Sequence, residues 1–131
     1  MKIGFNMLLW TTHLVEEQFD LLEKIKKVGY DGVEIPIFGG EEKVEHFKNI
    51  GKVLKDNGLE CTSVTVIPDE DRSPISENSS SRSNSLEYLK WAIDCSDALN
   101  SEVLAGPYHQ PLGIFSGEPP TQKEKEFAAK V

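Results

Sequence analysis

The chain has 131 residues, with 14 Lys and Arg against 22 Asp and Glu and a formal net charge of −8. Its 38% hydrophobic and 27% charged content is that of a folded domain rather than a disordered chain, and the excess of acid argues against a partner such as nucleic acid, whose backbone calls for clustered Lys and Arg. No apolar run approaches the ~20 residues of a membrane span, so no membrane partner is expected. The opening MKIGFNMLLW carries one Lys, no small-residue cleavage site and a polar interruption at Asn6, unlike a signal peptide.

In chain order, Lys2–Leu9 is a short apolar run and reads as a strand. Phe19, Leu22, Ile25 and Val28 recur at helical spacing over Val15–Val28, and Gly29 is a stop signal. Asp31–Phe38 is a second strand candidate, broken by Gly39 and Gly40. Val44, Phe47, Ile50 and Leu54 mark a second amphipathic helix closed by Gly58. Cys61–Ile67, rich in Val and Thr, is a third strand. Residues 69–84, DEDRSPISENSSSRSN, form the most polar stretch and read as a long mobile loop, either an insertion or a lid over a site. Leu86, Leu89 and Ile93 carry a third helix ending near Asn100, a residue that tolerates the left-handed conformation. Glu102–Gly106 is a short fourth strand. After an irregular loop over 107–120, Thr121 and Glu124 have the spacing of a capping box. The closing EKEFAAKV reads as a helix cut short.

The order β-α-β-α-β-α-β-(α) implies parallel strands and right-handed crossovers. Two architectures fit: a small doubly wound sheet, or the first half of a (β/α)8 barrel, which needs eight units. A doubly wound nucleotide binder wants a Gly-rich turn after its first strand, and WTTHL has no glycine. Polar and aromatic residues instead gather at or after each strand: Asn6, Trp10 and His13, then Glu34, then the polar loop, then Tyr108, His109 and Gln110. A barrel active site is built from those positions.

The phrases GYDGVEIP (29–36), DNGL (56–59), LEYLKWAIDCSDALNSEVLAGPYHQPLG (86–113) and FSGEPPT (115–121) resemble the sugar isomerase/epimerase family of xylose isomerase-like TIM barrels, and within it the ketose 3-epimerases that act on tagatose and psicose. The likeness spans essentially the whole chain. It implies an α/β fold with 1–131 as the N-terminal part of a TIM barrel. It also implies a small ketose substrate and a divalent metal cofactor, usually Mn2+, with Mg2+ or Co2+ as substitutes. The family's two Glu, one Asp and one His ligands come from the fifth to eighth strands. They are expected beyond Val131, as are the catalytic carboxylates that move a proton beside the carbonyl. The chain alone is therefore expected to be inactive. A homo-oligomer is a further expectation.

Of the residues present, Glu34 stands between Val33 and Ile35, so alternation turns it toward the barrel interior. A buried carboxylate needs a partner. It either lines the substrate pocket or supports the metal ligands from behind, or it pairs with a residue outside these 131. Trp10 matches the aromatic that the family sets against a sugar's apolar face, whereas Asn6 replaces a common aromatic and prefers hydroxyl partners. Tyr108 and His109 are expected to contact the substrate, with Gly106 permitting close approach. His13 reads as a surface residue at a helix entry, and His46 as solvated. Trp91 reads as packing. Cys61 and Cys95 are too few for a disulfide framework and read as core residues in a reducing, cytoplasmic compartment. Two other readings stay open. One is an endonuclease-IV-like DNA repair barrel, disfavoured by TSVTVIP lacking His and by the negative charge. The other is a non-enzymatic α/β binding module that dimerises over its open sheet edge.

Overall fold

The computed structural model describes every residue from Met1 to Val131. Four strands form one sheet in the order β1-β2-β3-β4, with every neighbouring pair parallel. They are β1 (Gly4–Asn6), β2 (Gly32–Pro36), β3 (Glu60–Val64) and β4 (Leu104–Ala105). Between and after them lie α1 (Phe19–Val28), α2 (Val44–Asp56), α3 (Ser79–Ala98) and α4 (Gln122–Ala128). This is the alternation read from the sequence, and it is half of a (β/α)8 barrel.

Several boundaries differ from the sequence reading, each for a local reason. The first strand stops at Asn6 rather than Leu9, because the Asn6 side chain accepts a hydrogen bond from the Leu8 N–H and caps a 3-10 turn over Met7–Leu9. The first helix begins with a 3-10 turn at Glu16–Gln18 and becomes α-helical only at Phe19; Gly29, at φ 111°, ends it as expected. The polar loop is shorter than 69–84. A 3-10 turn occupies Glu70–Arg72, and α3 starts at Ser79, seven residues before the apolar periodicity begins at Leu86. Asn78 accepts from the Ser80 N–H, and Arg82 reaches back to the Ser76 and Glu77 carbonyls, so side chains satisfy the first helical turns. The capping box at Thr121 and Glu124 is present. From there α4 runs to Ala128, and the Ala129 N–H donates to the Lys125 carbonyl.

The chain divides into two units, Met1–Thr65 with Ala92–Ala105, and Val66–Trp91 with Gly106–Val131. In the first, sequential parallel strands joined by right-handed crossovers place the helices on one face of the sheet. Val33, Ile35, Cys61, Ser63 and Thr65 on that face are buried. Leu22 and Ile25 of α1 and Phe47, Ile50 and Leu54 of α2 complete the core. A Cβ on Gly51 would lie 2.7 Å from the Leu99 carbonyl, so α2 approaches the end of α3 at backbone distance. The buried stripe of α3 is also not the expected Leu86, Leu89 and Ile93. It runs through Ser81, Ser85, Tyr88, Ala92, Cys95, Ser96 and Leu99, while Ile93 is exposed. Small side chains permit that close packing, and the Ser96 hydroxyl bonds the Ser63 hydroxyl beneath it. Burial pushes the thiols of Cys61 and Cys95 up to about 12, as suits the inert core residues expected.

In the second unit, Ile67 bridges to Pro111, and the Leu112 N–H donates to the Ile67 carbonyl. The Arg82 guanidinium lies 4.1 Å above the Phe127 ring, Lys123 pairs with Glu77 at 2.7 Å, and Arg72 sits over Tyr88.

Candidate functional site

The second face of the sheet carries no helix. Alternation puts Gly4 and Asn6, Gly32 and Glu34, and Glu60, Thr62 and Val64 on it. Gly4, Glu60 and Thr62 are exposed, and Asn6, Glu34 and Val64 half-buried. The parallel register aligns Asn6 with Glu34 and Glu34 with Thr62, so three polar side chains stand in one row across three strands. Below the row, Gly4 aligns with Gly32 and Gly32 with Glu60. A Cβ on Gly32 would come within 2.7 Å of the Glu60 carbonyl, so the glycine keeps this floor low. The result is a cavity of about 320 Å³ lined by Asn6, Glu34, Thr62 and the glycines, with Lys2, Asp31, Glu60 and Glu102 at its lower rim. Lys2 hydrogen-bonds Glu60, and that bond together with the Glu60 charge raises the ammonium above its ordinary value.

Glu34 has a partner within the chain. The Asn6 Nδ2 donates to Glu34 Oε2 at 2.5 Å, and the Asn6 Oδ1 accepts from the Leu8 N–H at 2.8 Å. Both ends of the amide are therefore engaged by protein. Within these 131 residues the partner of Glu34 is a neutral amide rather than a cation. Trp10 follows the 3-10 turn that Asn6 caps. Its ring lies 4.4 Å from Phe5, which meets Tyr30 edge-on, and it is 55% exposed. An exposed indole held by an aromatic neighbour can stack on an apolar surface at low entropic cost.

The remaining predicted site residues belong to the second unit. Gly106 has φ 146°, a backbone setting that favours glycine. Tyr108 is half-buried, its hydroxyl has no hydrogen-bond partner, and burial raises its pKa. His109 is exposed and lines a cleft of about 700 Å³ with Glu70, Ser73, Glu77, Phe115 and Glu118.

Two features escaped the sequence reading. Thr62 belongs to the polar row, and the signal was present in the alternation of ECTSV, which needs only the strand register to become visible. The second concerns His46. It is not solvated: its ring stacks on His13 at 5.0 Å and its Nε2 is buried, while His13 lies 3.4 Å from Glu42. Helical phase alone does not reveal a neighbour contributed by the loop before α1. No group of three or more His, Cys, Asp and Glu side chains in the structure could hold a metal ion, so these residues do not by themselves fit the cation that the family likeness implies.

With this geometry in place, likeness to known proteins is decisive. The family model described as xylose isomerase-like TIM barrel matches residues 22–131. The chain belongs to that family. It is 26% identical over 125 residues to a Synechocystis sp. protein named "Probable ketose 3-epimerase", which covers 95% of this chain and 42% of that protein. A structure of D-psicose 3-epimerase in the presence of D-fructose superposes with a TM-score of 0.79 at 20% identity, covering 99% of this chain and 45% of that one. A structure of L-ribulose 3-epimerase superposes with a TM-score of 0.84 at 20% identity, covering 98% and 43%. The chain thus spans less than half the length of each relative. The two solved structures establish the fold, which is the half barrel described above. No helix is long and apolar enough to cross a membrane.

Proposed function

We propose that the protein carrying this chain is a metal-dependent ketose 3-epimerase and that these residues form part of its sugar-binding wall. The observation that carries the reading is the likeness to the Synechocystis ketose 3-epimerase along 95% of this chain. The polar row on the uncovered sheet face supports it. A ketose offers several hydroxyls on one side and a weakly polar carbon face on the other. Glu34 supplies acceptor oxygens, Thr62 both donates and accepts, and the exposed indole of Trp10 suits the carbon face. Tyr108 and His109 are proposed as further substrate contacts, with Gly106 leaving room beside them.

The reaction is proton removal from the carbon next to the ketose carbonyl and return on the opposite face. It needs positioned acid and base groups, and in this reading those carboxylates are supplied from outside the 131 residues. The chain alone then binds and orients but does not turn over. A divalent cation, Mn2+ first, belongs to the proposal, with its ligands supplied from outside these residues. The test is turnover by the protein as its gene encodes it. With Mn2+ supplied, fructose and psicose, or tagatose and sorbose, should interconvert, and chelation should abolish the activity. No turnover across free and phosphorylated ketoses would remove the assignment.

A further inference from the structure

Within that reading, we infer that Asn6 is a positioning residue that holds the Glu34 carboxylate as an open acceptor for a neutral sugar hydroxyl. The Leu8 N–H donates to Asn6 Oδ1 at 2.8 Å, which fixes which end of the amide is oxygen and which is nitrogen. The nitrogen is thereby turned toward the neighbouring strand, where the register places Glu34 opposite, and it donates to Oε2. The turn that ends β1 and the orientation of the carboxylate are thus set by one side chain.

A hydrogen bond to an ionised group is roughly twice as strong as one between neutral groups, so the pair restrains Glu34 firmly. An amide also orients a carboxylate without cancelling its charge, as Arg or Lys would. Only one carboxylate oxygen is used. Oε1 remains to accept a hydrogen bond, and Thr62 stands on the adjoining strand in the same row. Strands lie about 4.8 Å apart, a spacing that adjacent hydroxyls of one sugar can bridge. The only cation lining the cavity, Lys2, is bound to Glu60. Hydroxyl donors therefore suit this cavity better than a phosphoryl group.

Three variants of the encoded protein separate positioning from folding. Asn6→Ser keeps an oxygen able to cap the turn and loses the donor to Glu34. Glu34→Gln removes the charge. Asn6→Asp combined with Glu34→Gln exchanges amide and carboxylate, so the capping oxygen and the inter-strand bond persist while the charge moves to β1. The KM for D-fructose and D-psicose should rise about tenfold or more in Asn6→Ser, the scale of one lost charged hydrogen bond. The double exchange should recover the thermal midpoint but not KM. Recovery of both, or an unchanged KM in Asn6→Ser, would overturn the positioning role. A spectroscopic signature is independent of turnover. The Asn6 side-chain amide proton should lie downfield in the wild type, move upfield in Glu34→Gln, and shift when D-fructose is added. An amide resonance indifferent to Glu34→Gln would overturn the inference even in an active epimerase. A Glu34-dependent amide in a protein that turns over no ketose would sink the epimerase reading and leave the pair standing.

Discussion

The two faces of the parallel sheet follow opposite rules. One packs Val33, Ile35, Cys61, Ser63 and Thr65 beneath helices, with its hydroxyls bonded internally: Ser63 to Ser96 and Thr65 to the Ile37 carbonyl. The other shows Asn6, Glu34 and Thr62 above a glycine floor. Parallel sheets are ordinarily covered on both sides, and a polar, uncovered face is what a barrel turns toward its centre. The lesson is a division of labour at single-residue spacing, in which neighbouring positions of one strand serve stability and recognition alternately.

Substitution on the two faces should break that comparison most sharply. Phe47→Ala or Ile35→Ala, which empties the packed side, should cost about 2–5 kcal/mol in chemical denaturation. Thr62→Ala, on the open face, should stay within about 0.5 kcal/mol. Equal losses would mean that the open face is packed after all. A smaller effect is expected at the helix contact behind the sheet. Gly51→Ala drives a methyl against the Leu99 carbonyl and should cost about 1–3 kcal/mol, whereas Gly39→Ala meets no atom within 4 Å and tests only its φ of 95°.

A smaller loss than at Gly51 should come from the capping box in the second unit. Thr121→Ala should cost about 1 kcal/mol. Hydrogen bonds from the Thr121 backbone and hydroxyl hold the Glu124 carboxyl below its ordinary 4.5. Its contribution is therefore present above that value and lost as pH falls through the lowered one. Thermal melts between roughly pH 6 and pH 3 should show a shallower decline in Glu124→Gln than in the wild type.

Much of this was legible in the sequence. Alternation, the Gly29 stop, the left-handed Asn100 and the Thr121 cap are local signals, and each survives in the structure. So does the orientation of Glu34, because period-two alternation is a property of one strand. What was hidden depended on partners distant in the chain. Asn6 ends β1 and also holds Glu34, 28 residues away. Ser79–Ser85 join α3 because caps and a back-reaching Arg82 offset weak helix propensity. The buried stripe of α3 runs mainly through serines, Ala92 and Cys95 rather than Leu86, Leu89 and Ile93, because which face is covered is set by partners distant in the chain, such as Ser63 beneath Ser96.

The most direct test is proton exchange at the sugar carbon beside the carbonyl. The encoded protein, supplied with Mn2+ and D-fructose in heavy water, should place deuterium at C3 as the C3 epimer accumulates, and Glu34→Gln should slow both together at limiting sugar. A protein that leaves C3 of fructose, psicose, tagatose and sorbose unexchanged would contradict the account.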